Sequence, residues 1–155
     1  MIDHKSRNGQ LEEYSLLIEK LEPIFKGLPW KLIAIDGRPG SGKTTLGRFL
    51  AWWFNVSLIE TDHFLIEGEG INKYRIEEIT RIVKRRQRMD CPIVIEGVQI
   101  LRQLAYMSLN ADFIIYVKNV QSYSLSTSFE KQFIDYESEF SPKDHANFIL
   151  SLDHK

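Results

Sequence analysis

Between an apolar run that ends at Asp36 and a helical pattern that opens at Lys43, the chain reads Gly37-Arg38-Pro39-Gly40-Ser41-Gly42-Lys43-Thr44-Thr45. Its first eight residues fit G-x-x-x-x-G-K-[ST], the Walker A pattern. No other stretch narrows the fold as far, because a strand must deliver the chain to this loop and a helix must leave it. Anions need several backbone N–H groups aimed inward at once. Glycine permits the turns and the close backbone approach, and the following helix adds the positive end of its dipole. Gly37 to Thr45 are therefore the candidate nucleotide-binding residues. Lys43 is placed to reach the outer phosphates, and Thr44 to hold Mg²⁺ through its hydroxyl.

The rest of the chain supplies what such a loop requires. Leu11, Tyr14, Ile18, Leu21 and Phe25 recur at steps of three and four, one face of an amphipathic helix that Pro23 weakens and Gly27 with Pro29 ends. "KLIAID" is a short apolar strand. "TTLGRFLAWWF" is helical, with Leu46, Phe49, Leu50 and Trp53 inward and Asn55 as its C-terminal cap. Trp52 and Trp53 are adjacent, so at least one covers the edge of the core or an interface. Further strands are expected at "VSLIET", "PIVIEG", "ADFIIYVKN" and "HANFILSL". Helices are expected at "RIEEITRIVKRRQRMD", "VQILRQLAYMSL" and residues 122–140, where Phe129, Phe133, Tyr136 and Phe140 share a face. Short strands alternating with helices predict an α/β fold, a parallel sheet with helices on both faces.

At 155 residues the chain has the length of a single domain. Its formal net charge of −1 gives no global pull toward nucleic acid or an acidic membrane. Arg81, Lys84, Arg85 and Arg88 fall on one helical face, but without the interleaved aromatics of a single-strand binder, and read as a solvated surface. The lone Cys91 excludes an internal disulfide framework. No apolar run reaches the roughly 20 residues of a membrane span and the N-terminus lacks an apolar leader, so the cytoplasm is the expected location. A homodimer is left open.

In an open parallel sheet the site lies beyond the C-terminal strand edges. Asp36, Asp62 and Glu96 are expected there. Asp62 in "ETDHF" is placed to accept a proton from an attacking hydroxyl, or else caps the next turn. Glu96 closes "IVIEG" and is placed to bind Mg²⁺ through water, or else serves a structural partner. Asp36 orients the loop or the water shell of the metal, and His63 is either structural or near substrate.

"IAIDGRPGSGKTTL", "TDHF" and "VIEG", in this order, resemble the uridine kinase-like branch of the P-loop kinases. "YESEFSPKDHANFIL" resembles the late segment leading to the last strand there. The match touches most of residues 31–151. The resemblance implies a P-loop NTPase fold with a five-stranded parallel sheet. It also implies transfer of the γ-phosphoryl group of ATP, with Mg²⁺, to a hydroxyl of a nucleoside-like or other small acceptor. Asp62 then aligns with the acceptor-side aspartate, Phe64 with the aromatic after it, and Glu96 with Gly97 at the acidic strand end. Two departures stand out. The stretch from Asp62 to the third strand is short, which leaves Tyr74 and Arg75 as candidate acceptor contacts. No arginine follows Arg102, so the lid region, residues 119–145, is reduced. Lys131, Arg38 or Arg102 would have to replace a lid arginine. Otherwise the chain is an ATP-binding regulator without transfer activity, or a hydrolytic NTPase. Residues 1–29 form an N-terminal helical extension of the same domain.

Overall fold

The computed structural model describes residues 4–69, 73–120 and 127–153. In chain order the elements are α1 (His4–Phe25), β1 (Leu32–Asp36), α2 (Lys43–Phe54), β2 (Ser57–Glu60), a 3-10 turn (Thr61–Phe64), α3 (Ile76–Arg88), β3 (Ile93–Glu96), α4 (Ile100–Tyr106), β4 (Phe113–Asn119), α5 (Thr127–Phe140), α6 (Pro142–His145) and β5 (Phe148–Leu152). The five strands form one sheet in the order β2-β3-β1-β4-β5, and every pairing is parallel. Residues 121–126, inside the expected lid region and at the start of the expected last long helix, lie outside the described residues.

The two-residue alternation of the strands splits the interior into two layers. Ile33 and Ile35 of β1 face α1 and α2, together with Val94, Ile115, Val117, Leu150 and Leu152. Leu32 and Ala34 face the other way, with Ile93 and Ile95, against Ile79 and Val83 of α3 and Ile100 and Leu104 of α4. β1 is buried at all five positions, as expected of a central strand covered on both sides. α1 is part of this core: Tyr14, Leu17, Leu21 and Phe25 lie in the same cluster as β1 and β5. It stops at Phe25, where Leu28 N–H closes onto the Phe25 carbonyl at 2.8 Å and Gly27 takes φ +77°.

Helix α2 ends as expected, with Asn55 left-handed and its N–H bonded to the Ala51 carbonyl. Its orientation differs from the expectation in one respect. Trp53 is 44% exposed and Trp52 74%, so Trp53 does not point inward. The buried residues are Lys43, Leu46, Gly47 and Leu50. Gly47 explains the rotation. A Cβ there would lie 3.1 Å from Leu58 Cδ1 and 3.3 Å from Glu96 Cγ, so the helix makes its closest approach through a residue without a side chain. That approach moves Trp53 to the flank, where it stacks on Phe49 at 5.7 Å.

Candidate functional site

Parallel register places the C-terminal ends of three strands side by side. Glu96 on β3 pairs with Ile35 on one side and with Glu60 on the other. The loop after β1 therefore rises next to the end of β3. Glycine is required at its first position: Gly37 has φ +153°, and a Cβ there would meet the Val117 carbonyl at 2.6 Å and Ser41 Oγ at 2.7 Å. Gly42, at φ +105°, precedes α2 without any side-chain cap, which leaves the first amides of that helix facing the loop.

Lys43 is only 6% exposed. Its ammonium donates to the Arg38 carbonyl at 2.7 Å and lies 3.5 Å from Ser41 Oγ. Burial lowers its pKa from the ordinary 10.5, and the charges of Glu96, Asp36 and Asp62 work against that shift. Thr44 donates its hydroxyl to Glu96 at 3.0 Å. Burial raises the pKa of Glu96, while the Thr44 hydrogen bond and Lys43 pull it back.

Asp62 lies two residues past the end of β2, on the 3-10 turn, rather than closing the strand. Gly97 makes room for that turn: a Cβ on it would lie 1.9 Å from Thr61 Oγ1. Gln103 braces the contact, donating to the Val98 carbonyl at 2.8 Å. Beyond the turn, a bridge between Leu65 and Tyr74, with Arg75 N–H on the Phe64 carbonyl at 2.8 Å, returns the chain to the site.

These elements enclose a cavity of about 670 Å³. Gly40, Gly42, Lys43, Thr44 and Thr45 line it, as do Pro39 and Asp62. Tyr74 lines it too, only 8% exposed. Among the described residues its buried hydroxyl has no hydrogen-bond partner. Burial, reinforced by the charges of Asp62 and Glu96, pushes its phenol above 10.

Other expected residues are placed elsewhere. Asp36 is 1% exposed and is not presented to the cavity. It accepts hydrogen bonds from the Tyr136 hydroxyl and from Gly37 N–H at 2.8 Å, so it holds the base of the loop. Burial raises its carboxyl to about 6, against the pull of those bonds. Gly37 and the buried Ser41 do not line this cavity. The Arg38 guanidinium turns to α5, where it pairs with Glu130 at 2.6 Å and Glu137 at 2.8 Å. Only its carbonyl serves the loop. Phe64 packs into the α3–α4 core layer. Arg75 is occupied by the His63 carbonyl at 3.0 Å and Glu78 at 3.4 Å. Arg102 binds Glu139 and Gln99, both at 2.7 Å, and Lys131 is an exposed residue of α5. His63 sits 3.2 Å from Glu60, which also pairs with Arg48. Sequence reasoning missed Leu65, Val98, Phe129 and Phe133 in the cavity wall. The last two were visible only as a helical stripe.

No protein-family profile matches the chain, and no curated protein sequence matches it. Solved structures do. A possible uridine kinase from Bacillus stearothermophilus superposes with a TM-score of 0.63 at 16% identity, over 90% of this chain and 97% of that one. Shikimate kinase from Acinetobacter baumannii, solved with shikimate, gives 0.54 at 16% identity, over 86% and 89%. A sugar kinase from Janibacter sp. HTCC2649 gives 0.55 at 14% identity, over 81% and 86%. The likeness is one of whole-chain architecture: this chain has the α/β fold of the P-loop kinases.

Proposed function

We propose that the chain is an ATP-dependent small-molecule kinase that transfers the γ-phosphoryl group to a hydroxyl of a small acceptor. The observation that carries this reading is convergence. The loop amides, the Lys43 ammonium, the Thr44–Glu96 pair and the Asp62 carboxylate, contributed by three different strand ends, meet around one cavity.

ATP would lie with its phosphates on the loop and the first turn of α2. Lys43, held beneath by the Arg38 carbonyl, would exchange that contact for a phosphate oxygen. Thr44 and Glu96 would hold Mg²⁺. A hydroxyl 3.0 Å from a buried carboxylate is the hard-oxygen set this ion uses, alongside substrate phosphates and water. Bound there, the ion neutralises charge on the phosphoryl oxygens. Asp62, exposed at the cavity edge, would take the proton of the acceptor hydroxyl as its oxygen bonds to the γ-phosphorus. The bond from that phosphorus to the bridging oxygen then breaks, and ADP leaves. Catalysis is positioning and charge stabilisation. No helix among the described residues is long and apolar enough to cross a membrane, and we place such an enzyme in the cytoplasm. The exposed Arg81, Lys84, Arg85 and Arg88 face of α3 fits solvent contact, and nucleic acid is not proposed as a partner.

The test is acceptor-dependent ADP release across nucleosides, sugars and vitamin-like alcohols. Asp62→Asn should lower it by about 10²–10⁴-fold, the usual worth of a general base, with ATP binding retained. ADP release at wild-type rate in that variant refutes the role of Asp62.

One observation favours a second reading. Arg38 and Arg102, the arginines nearest to replacing a lid residue, are both fixed in ion pairs with α5. A nucleotide-binding regulator would then show saturable ATP binding without ADP release under any acceptor. A hydrolytic NTPase would release ADP at a rate that acceptors do not change.

A further inference from the structure

A second cavity, of about 420 Å³, lies between α3 and the end of α4 and shares no lining residue with the first. Arg81, Lys84 and Arg88 line it from one stripe of α3, at steps of three and four, and all of them are exposed. Among the described residues these cations have no ion-pair or side-chain hydrogen-bond partner. Acids stand close by without neutralising them. Glu78 pairs with Arg75 at 3.4 Å. Glu77, the single carboxylate of the groove, precedes Arg81 by four residues, the spacing of a favourable helical pair, and still makes no ion pair with it. Like charges three and four apart on a helix repel. The negative end of the helix dipole compensates cations in the last turn, where Arg88 lies with Arg85 and Arg86. Arg81 and Lys84 precede that turn and gain less from it. An anion in the groove would offset the repulsion along the whole stripe.

The other wall narrows the choice of anion. It comes from α4 and holds Tyr106, 66% exposed, and the buried Met107. Tyr106 has its ring open for stacking. Thr80, also in the lining, donates its hydroxyl to the Ile76 carbonyl at 2.7 Å, so the cations are the main donors left for a ligand. From Arg81 to Arg88 the stripe runs about 10 Å along the helix. That is short of the roughly 4–16 nucleotides covered by a groove that binds a nucleic-acid strand. The cavity volume of about 420 Å³ is that of a small-molecule site, and arginine side chains suit phosphate through paired N–H bonds.

We propose that this groove binds a small anion carrying two or more phosphate-type groups on a flat ring, with the ring on Tyr106 and the anionic groups on Arg81, Lys84 and Arg88. The site is separate from the glycine loop and does not depend on the kinase reading.

Calorimetric titration of the full chain tests it, with adenosine 3′,5′-bisphosphate as the probe and adenosine 5′-monophosphate, adenosine and inorganic pyrophosphate as comparisons. The bisphosphate should bind about tenfold tighter than the monophosphate, as expected when one more charge-assisted contact forms, and adenosine should not saturate. Replacing Arg81, Lys84 and Arg88 together by glutamine should abolish binding. Tyr106→Ala should weaken the bisphosphate about tenfold, the worth of stacking one base, and leave pyrophosphate unchanged. Lys43→Ala should leave bisphosphate affinity unchanged. Glu77→Gln removes the one acid of the groove and should tighten binding about threefold, a gain that a damaged fold does not produce. Binding lost in Lys43→Ala but kept in the triple variant would assign the probe to the glycine loop and overturn the proposal. No binding, or equal affinity for bisphosphate and adenosine, would overturn it too. So would a 20-nucleotide single strand that binds tighter than the bisphosphate through the same cations, since the face would then serve nucleic acid.

Discussion

Replacing Tyr136 by phenylalanine should produce a loss of stability that grows with pH. Tyr136 is buried on α5, and its hydroxyl donates to Asp36, a residue 100 positions away at the base of the loop. The same oxygen accepts Leu101 N–H at 3.3 Å. Phenylalanine keeps the ring, with its packing on Phe140, and removes only the oxygen. When Asp36 is ionised, the lost bond is to a charged acceptor and costs about 1.5–3 kcal/mol; when it is protonated, the bond is between neutral groups and costs about 0.5–1.5 kcal/mol. Asp36 has its folded pKa raised from 3.8 to about 6. Ionising it therefore opposes folding, and its contribution to stability falls as pH climbs through that window. At about 1.36 kcal/mol per unit the wild-type fall is ~3 kcal/mol. Without the tyrosine oxygen the folded pKa rises further and the fall extends to higher pH. Urea unfolding of both proteins at pH 5 and pH 8 reads this directly. The variant should be destabilised by about 1 kcal/mol more at pH 8, whereas the Leu101 contribution, being independent of pH, cancels in the difference. Equal destabilisation at the two pH values, or a larger one at pH 5, refutes the account of Asp36 as a buried carboxylate held by this hydroxyl.

Two other changes probe the site. Lys43→Ala should raise the ATP dissociation constant by about 10–100-fold, the worth of one charge-assisted bond to phosphate, as measured by calorimetric titration. An unchanged affinity would remove the nucleotide assignment from the loop. Gly97→Ala drives a methyl group to within 1.9 Å of Thr61 Oγ1 and should cost about 1–3 kcal/mol in chemical unfolding, the usual range for overpacking. Thr61→Ala in the same chain should recover part of that loss. Additive losses from the two substitutions would mean that the Asp62 turn does not rest on Gly97.

Much of this molecule is legible in local sequence. Short continuous apolar runs marked the strands, steps of three and four marked the helices, and Asn55 marked the end of α2 because few other residues adopt the left-handed region cheaply. The place of the glycine loop between β1 and α2, with Lys43 opening the helix, was readable because the Walker A spacing calls for a strand before it and a helix after it. The error at Trp53 came from counting apolar side chains on α2. The closest approach is made by Gly47, whose missing side chain carries no hydrophobic signal but lets the backbone nearest to β2 and β3.

What the sequence determined by itself was the strand–loop–helix unit and the alternation that calls for a parallel sheet, since both depend on neighbours within a few residues. Tertiary structure alone decided which polar groups meet. Asp36 is claimed by Tyr136 from α5, Arg38 is drawn away by Glu130 and Glu137, and Tyr74 is carried to the cavity by a bridge to Leu65. Those partners are set by how packed helices bring distant positions into contact, and in a buried site the partner, more than the residue type, fixes what a charge or a hydroxyl can do.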